Sequence, residues 1–149
     1  MTVGPRLLLT AALTLAAGCS DNNGMFSKND DGVQRDFWGR ETTVRGERGE
    51  KLTLVKPSSQ SVRRGNAETL TIRVKRNGFS DPVRISLSQL PAGVEAVDTP
   101  KSVNGDSVEV VLRASPSADL VTNQLVMVTA SGPNGMGAQE SFKLTVKDR

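Results

Sequence analysis

The sequence predicts an all-β fold in which about seven short antiparallel strands form two sheets packed face to face. Three observations point there. Apolar residues recur at every second position in a succession of short segments between Leu52 and Lys147. The dipeptides Asn77-Gly78, Asn104-Gly105 and Asn134-Gly135 punctuate those segments, and both residue types tolerate the positive φ that tight turns require. Prolines 57, 82, 91, 100, 116 and 133 stand at segment edges or between segments, never inside one. No stretch carries the 3.6-residue apolar period of an amphipathic helix.

In chain order, residues 1–18 read as a processing signal and not as part of the fold. Arg6 and the amino terminus supply positive charge, and an apolar run of eleven residues follows from Leu7 to Ala17. A helix that spans a bilayer takes about 20 residues, so a permanent membrane span is not expected here. Small residues, Ala16-Ala17-Gly18, then lead directly into Cys19, the only cysteine of the 149 residues.

The stretch Ala16-Ala17-Gly18-Cys19 resembles the lipobox of bacterial lipoproteins, with Ala16 standing where leucine is commoner. The resemblance implies cleavage before Cys19, with Ala17, Gly18 and Cys19 forming the signal-peptidase site, and a lipidated Cys19 as the new amino terminus. Each buried lipid methylene contributes ~0.8 kcal/mol, and stable anchoring takes more than one acyl chain. The resemblance further implies a location. In the Gram-negative sorting rule aspartate directly after the cysteine retains a lipoprotein in the inner membrane, and Ser20 occupies that position here. The expected place is the cell envelope, at the outer membrane, facing the periplasm or the surface.

Residues 19–51 read as the lipidated cysteine and a flexible tether. Ser20-Asp21-Asn22-Asn23-Gly24 is turn-forming and polar. Six Lys/Arg and seven Asp/Glu are interspersed between residues 20 and 51, with no apolar period of either kind. Such a composition does not bury enough surface to offset the entropy of ordering, and a flexible chain of this length has an end-to-end distance of about 30 Å. The tether nevertheless holds three of the five aromatic residues, Phe26, Phe37 and Trp38. The pair Phe37-Trp38 has two readings, a docking motif for a partner or a membrane interface, where Trp is favoured, and a pair that packs back on the domain. Lys28-Asn29-Asp30-Asp31-Gly32 has a faint likeness to a calcium loop, but placing Gly32 at the sixth position puts Trp38 at the twelfth, where glutamate is required. No metal site is expected.

Residues 52–149 read as the globular domain. Leu70, Ile72 and Val74 alternate with Thr71, Arg73 and Lys75. Val83, Ile85 and Leu87 alternate with polar residues, as do Phe142, Leu144 and Val146, and Val108, Val110 and Leu112 alternate with Glu109, Val111 and Arg113. Leu125-Val126-Met127-Val128 is a continuous apolar run, expected of a central strand covered on both faces. Leu52–Val55 and Val94–Val97 supply shorter strands, and Leu90-Pro91-Ala92-Gly93 supplies another turn. Seven short strands with turns every 8–12 residues lead to an immunoglobulin-like sandwich. Its core is aliphatic, with 25 Val, Leu and Ile from residue 52 onward, and it has neither the disulfide nor the tyrosine of the antibody type. The run Arg76-Asn77-Gly78-Phe79-Ser80-Asp81-Pro82-Val83, continuing to Leu90-Pro91-Ala92-Gly93-Val94, is similar to the repeated immunoglobulin-like domains of bacterial surface and secreted proteins. That resemblance implies a spacer or adhesive module, with Phe79 closing one end of the sandwich.

The residues offer little for catalysis. The chain has no histidine, which excludes Ser-His-Asp and Cys-His mechanisms and histidine-ligated metals. One cysteine makes neither an internal disulfide nor a Cys-rich zinc site. No phosphate-binding or dinucleotide-binding fingerprint is present, no nucleophile and base pair can be named, and the expectation is a protein that is not an enzyme. No cofactor is expected beyond the covalent lipid on Cys19. Charge is the remaining signal. Residues 52–149 hold twelve Lys/Arg and nine Asp/Glu, a net of +3, and Arg63, Arg64, Arg73 and Lys75 fall close together in sequence. They form either a basic face for anionic lipid or cell-wall polymer or an ordinary solvated face. The second reading is favoured, with Arg73 and Lys75 across from Glu109 and Arg84 on the other sheet. Gly132-Pro133-Asn134-Gly135-Met136-Gly137 is expected to be plain hairpin closure. The expected partners are the membrane, through the lipid, and an envelope protein or cell-wall polymer. Nucleic acid is not expected with so few stacking aromatics, and the chain is expected to be a monomer.

Overall fold

The computed structural model describes residues 26–28, 32–36 and 38–148. Among them run twelve strands and no α-helix: β1 (Phe26–Lys28), β2 (Val33–Asp36), β3 (Glu41–Arg45), β4 (Lys51–Val55), β5 (Gln60–Arg63), β6 (Ala67–Asn77), β7 (Val83–Ser88), β8 (Val94–Val97), β9 (Lys101–Val103), β10 (Ser107–Ala114), β11 (Val121–Ser131) and β12 (Gly137–Lys147). They make two sheets, ordered β1-β2-β3-β4-β6-β10-β8 and β5-β12-β11-β7-β9. Every ladder is antiparallel except that of β5 on β12, which is parallel.

The seven strands expected from the sequence are all present, as β4, β6, β7, β8, β10, β11 and β12. Alternation decides their faces. Leu70, Ile72 and Val74 of β6 point inward and are buried, and Val110 of β10, the register partner of Leu70, is buried beside them. The opposite sheet meets them with Val126, Val128 and Ala130 of β11 and Ala138, Phe142 and Leu144 of β12. Phe142, 1% exposed, is the one aromatic side chain in this otherwise aliphatic core, and Phe79 packs half-buried against it. The order β4-β6-β10-β8 opposed to β12-β11-β7-β9 is the strand order of an immunoglobulin-like sandwich. The chain changes sheets across residues 56–59, where Pro57 is buried, so the first strand of the sandwich is divided into β4 in one sheet and β5 in the other. The Leu90–Gly93 turn is another sheet-crossing corner. Gly93 there has φ +78, and a Cβ would lie 2.6 Å from Ala118 Cα, so only glycine fits.

Three expectations are corrected. Residues 33–36 and 41–45 are not tether, since β2 and β3 continue the larger sheet outward from β4, with Val44 beside Leu52 and Thr42 beside Leu54. The physical reason is that the β4 backbone has a hydrogen-bonding edge to satisfy, and a strand can pair there with little apolar content of its own. The apolar run at 125–128 is central in its sheet, between β12 and β7, but it is not covered on both faces. Leu125 is 53% exposed while Val126 and Val128 are fully buried, because among the described residues no third layer packs on that sheet. Glu109 lies opposite Thr71, not opposite Arg73 or Lys75. Lys75 pairs instead with Glu41 of β3, at 2.5 Å. Arg84 does stand on the other sheet, in β7.

Candidate docking surface

The most distinctive exposed feature is the turn from β2 to β3, and its sequence explains its shape. Asp36 and Gly39 occupy the first and last positions of a four-residue turn, and Gly39 takes φ +61. The Gly39 N–H donates to the Asp36 carbonyl at 2.9 Å. The Asp36 carboxylate continues the brace, with Oδ1 accepting from the backbone N–H of Arg40 at 2.5 Å and of Glu41 at 2.8 Å. Aspartate does this well because its short side chain reaches amides a few residues ahead. The turn therefore presents Trp38, which is 72% exposed, from a held backbone.

Basic side chains border this turn. The Lys56 N–H donates to the Arg40 carbonyl at 2.7 Å, which places two exposed cationic residues side by side where the chain leaves β4. Lys56 and Arg73 line one shallow depression on the outer face of the larger sheet, together with Val55 and Pro57. A second depression shares Val55 and Arg73 and continues to Glu41, Lys75, Arg76 and Asp106.

The sequence-predicted basic surface is divided by the fold. Arg73 and Lys75 face outward from β6, and Lys75 is bound to Glu41. Arg63 faces outward from β5 on the other sheet. Arg64 is engaged structurally, with Nε donating to the Ala118 carbonyl at 2.7 Å and Nη1 lying 3.7 Å from Asp148. Arg76 ties two loops, donating to the carbonyls of Asn104 and, at 3.0 Å, Gly105 in one and, at 3.3 Å, to that of Asp81 in the other. The loop at 132–137 closes the β11–β12 hairpin through a 3-10 turn and sends Met136 into the core. Cys19, Ala17, Gly18 and Phe37 lie outside the described residues.

Between the sheets lies one ionisable group that spacing does not reveal. Glu140 of β12 is 7% exposed, and Thr42 Oγ1 of β3 donates to its Oε1 at 2.5 Å. This bond couples the added strand β3 to the opposite sheet. Among the described residues no three acidic side chains are grouped so as to hold a metal ion. Arg40, Lys56 and Gly39 were not singled out by spacing. The available signal is the turn signature Asp36-x-x-Gly39, with aspartate first and glycine last.

No protein-family model matches the chain, and no curated protein matches it. Solved structures similar to it include a chimeric titin Z1Z2 carrying an exogenous KLER peptide from decorin, 19% identical, covering 66% of this chain and 95% of that one with a TM-score of 0.41. The tandem Ig repeats of Dlar are 13% identical, covering 67% of this chain and 49% of that one, with a TM-score of 0.42. Domains 4 and 5 of the S-layer protein SbsC are 11% identical, covering 70% of this chain and 66% of that one, with a TM-score of 0.41. The chain thus spans about half the length of the Dlar fragment. The immunoglobulin-like assignment rests on strand order, and these likenesses carry nothing about function.

Proposed function

We propose that this chain is a lipoprotein of the bacterial cell envelope, anchored through acyl chains on Cys19 and presenting a non-enzymatic immunoglobulin-like module for binding or scaffolding. The observation that carries the reading is the position of the only cysteine, directly after an eleven-residue apolar run and the small residues Ala16-Ala17-Gly18. Support comes from the kind of domain that follows, a sandwich with immunoglobulin-like strand order. Ser20 favours the outer membrane, and the module works as a monomer without a cofactor. The test is membrane fractionation with mass analysis of the amino terminus. The wild-type chain carries acyl mass on Cys19 and sediments with membranes, and Cys19→Ser releases it to the soluble fraction. A Cys19→Ser protein still firmly held in the membrane would overturn the reading.

A second reading has its own observation. Trp38, 72% exposed on a braced turn, has the form of an interface anchor, which fits an accessory subunit that docks on an envelope complex through Phe37-Trp38. Crosslinking in intact cells, with and without Trp38→Ala, checks it by the loss of one specific adduct. A carbohydrate-binding or cell-wall-active domain has less support, because Phe142 is buried and Phe79 half-buried, so the sandwich offers no aromatic platform of its own among the described residues.

A further inference from the structure

The register of β1 fixes where the chain from Cys19 enters the fold. Phe26 is paired with Asp36, and Lys28 with Gln34. The entry point is therefore next to Asp36, the first residue of the turn that presents Trp38. Paired Cα atoms in an antiparallel ladder are about 5 Å apart. From Cys19 to Phe26 there are seven Cα steps, a reach of at most about 25 Å even when fully extended. An anchor on Cys19 thus keeps this corner of the larger sheet within about 25 Å of the membrane.

The chemistry of that corner suits a bilayer interface. Trp38 is exposed, and an indole, apolar with one N–H donor, is favoured at the level of the headgroups. Arg40 at the end of the turn and Lys56, whose N–H donates to the Arg40 carbonyl, are exposed and cationic. Two carboxylates are close by. Asp36 is engaged by the turn amides, and Glu41 by Lys75. The balance at the surface is cationic, as contact with anionic headgroups requires.

We propose that the β2–β3 turn rests on the membrane that holds Cys19, with Trp38 inserted at the headgroup level and Arg40 and Lys56 against anionic phosphates. The proposal rests on the anchoring reading given above. The acyl chains supply the attachment, and the turn fixes the orientation of the domain on the bilayer.

Trp38 is the only tryptophan of the chain, so its fluorescence reports this contact directly. The lipidated full-length mature protein is reconstituted into vesicles of phosphatidylethanolamine and phosphatidylglycerol, with acyl mass on Cys19 checked first. The expected result is a blue-shifted emission that is quenched by lipids brominated near the headgroup. In parallel, the unlipidated Cys19→Ser chain is partitioned onto the same vesicles by sedimentation, where Arg40→Gln with Lys56→Gln weakens binding about 30-fold, at roughly 1 kcal/mol per surface charge. A protein that carries its lipid and sits on the vesicles, but whose Trp38 emits as in water and is not quenched, overturns this inference and leaves the anchoring reading standing. A chain without acyl mass on Cys19 overturns both. Emission that shifts with a purified envelope protein but not with lipid alone overturns the membrane contact in favour of protein docking.

Discussion

The sandwich from β4 to β12 and the three-stranded extension from β1 to β3 share one sheet, yet they are held by different physics. In the sandwich each long strand carries an inward apolar row, such as Leu70, Ile72 and Val74 or Phe142, Leu144 and Val146, and burial of those rows supplies the stability. In the extension the inward positions are Thr42 and Val44 on β3 and Val33 and Arg35 on β2, a single buried aliphatic side chain among four. Its strands are held by the ladder to β4 and by one buried bond, Thr42 to Glu140. A two- or three-stranded ribbon without an apolar face is marginal by itself in water. The extension therefore depends on the sandwich, while the sandwich has its core without the extension.

The largest expected effect breaks both regions together. Phe142→Ala opens a cavity in the centre of the core and costs about 3–5 kcal/mol, so a urea midpoint read by circular dichroism falls for the whole molecule in one transition. Thr42→Val comes next, because it removes the donor of a buried carboxylate at the joint between the regions and costs about 1–3 kcal/mol. Hydrogen exchange should show faster opening of the amides of residues 41–45 with those of β6 and β11 little changed. Uniform acceleration would mean that the regions are one unit and that the distinction fails. Thr42→Val combined with Glu140→Leu should recover part of the loss, since both polar partners are then gone. Val33→Ala should cost about 1 kcal/mol, seen only in exchange within the extension. Lys75→Ala, which frees Glu41 at the outer surface, should change the urea midpoint least, by no more than about 1 kcal/mol.

The same contrast explains what was legible in the sequence. Period-2 alternation reports a strand with one buried face, so β6, β7, β10 and β12 could be read directly. It is silent about strands that serve as edges. β5 carries one buried apolar residue, Val62, and β9 carries Val103, too few to make a period. β2 and β3 are mixed-charge and glycine-flanked, and that composition reads as unfolded unless the edge of β4 is known to be waiting. Leu125 misleads in the opposite direction, because an apolar run does not reveal whether a second layer covers it. At the candidate surface, Trp38 was conspicuous by its rarity. Its cationic neighbour Lys56 was not, since strand pairing brings it beside Arg40 from a position 18 residues beyond Trp38.

The strands that end the sheets have one property in common. β1, β8, β5 and β9 border the two sheets, and they are 3, 4, 4 and 3 residues long, whereas β6, β11 and β12 in the interior have 11 each. A free strand edge is a template on which a second chain can polymerise, and its potency falls with its length. Copies of this protein confined to a surface would meet far more often than copies in solution, and the described border strands, three or four residues long, would be poor templates for a growing ribbon. The trimmed borders allow the fold to be crowded without becoming a fibre.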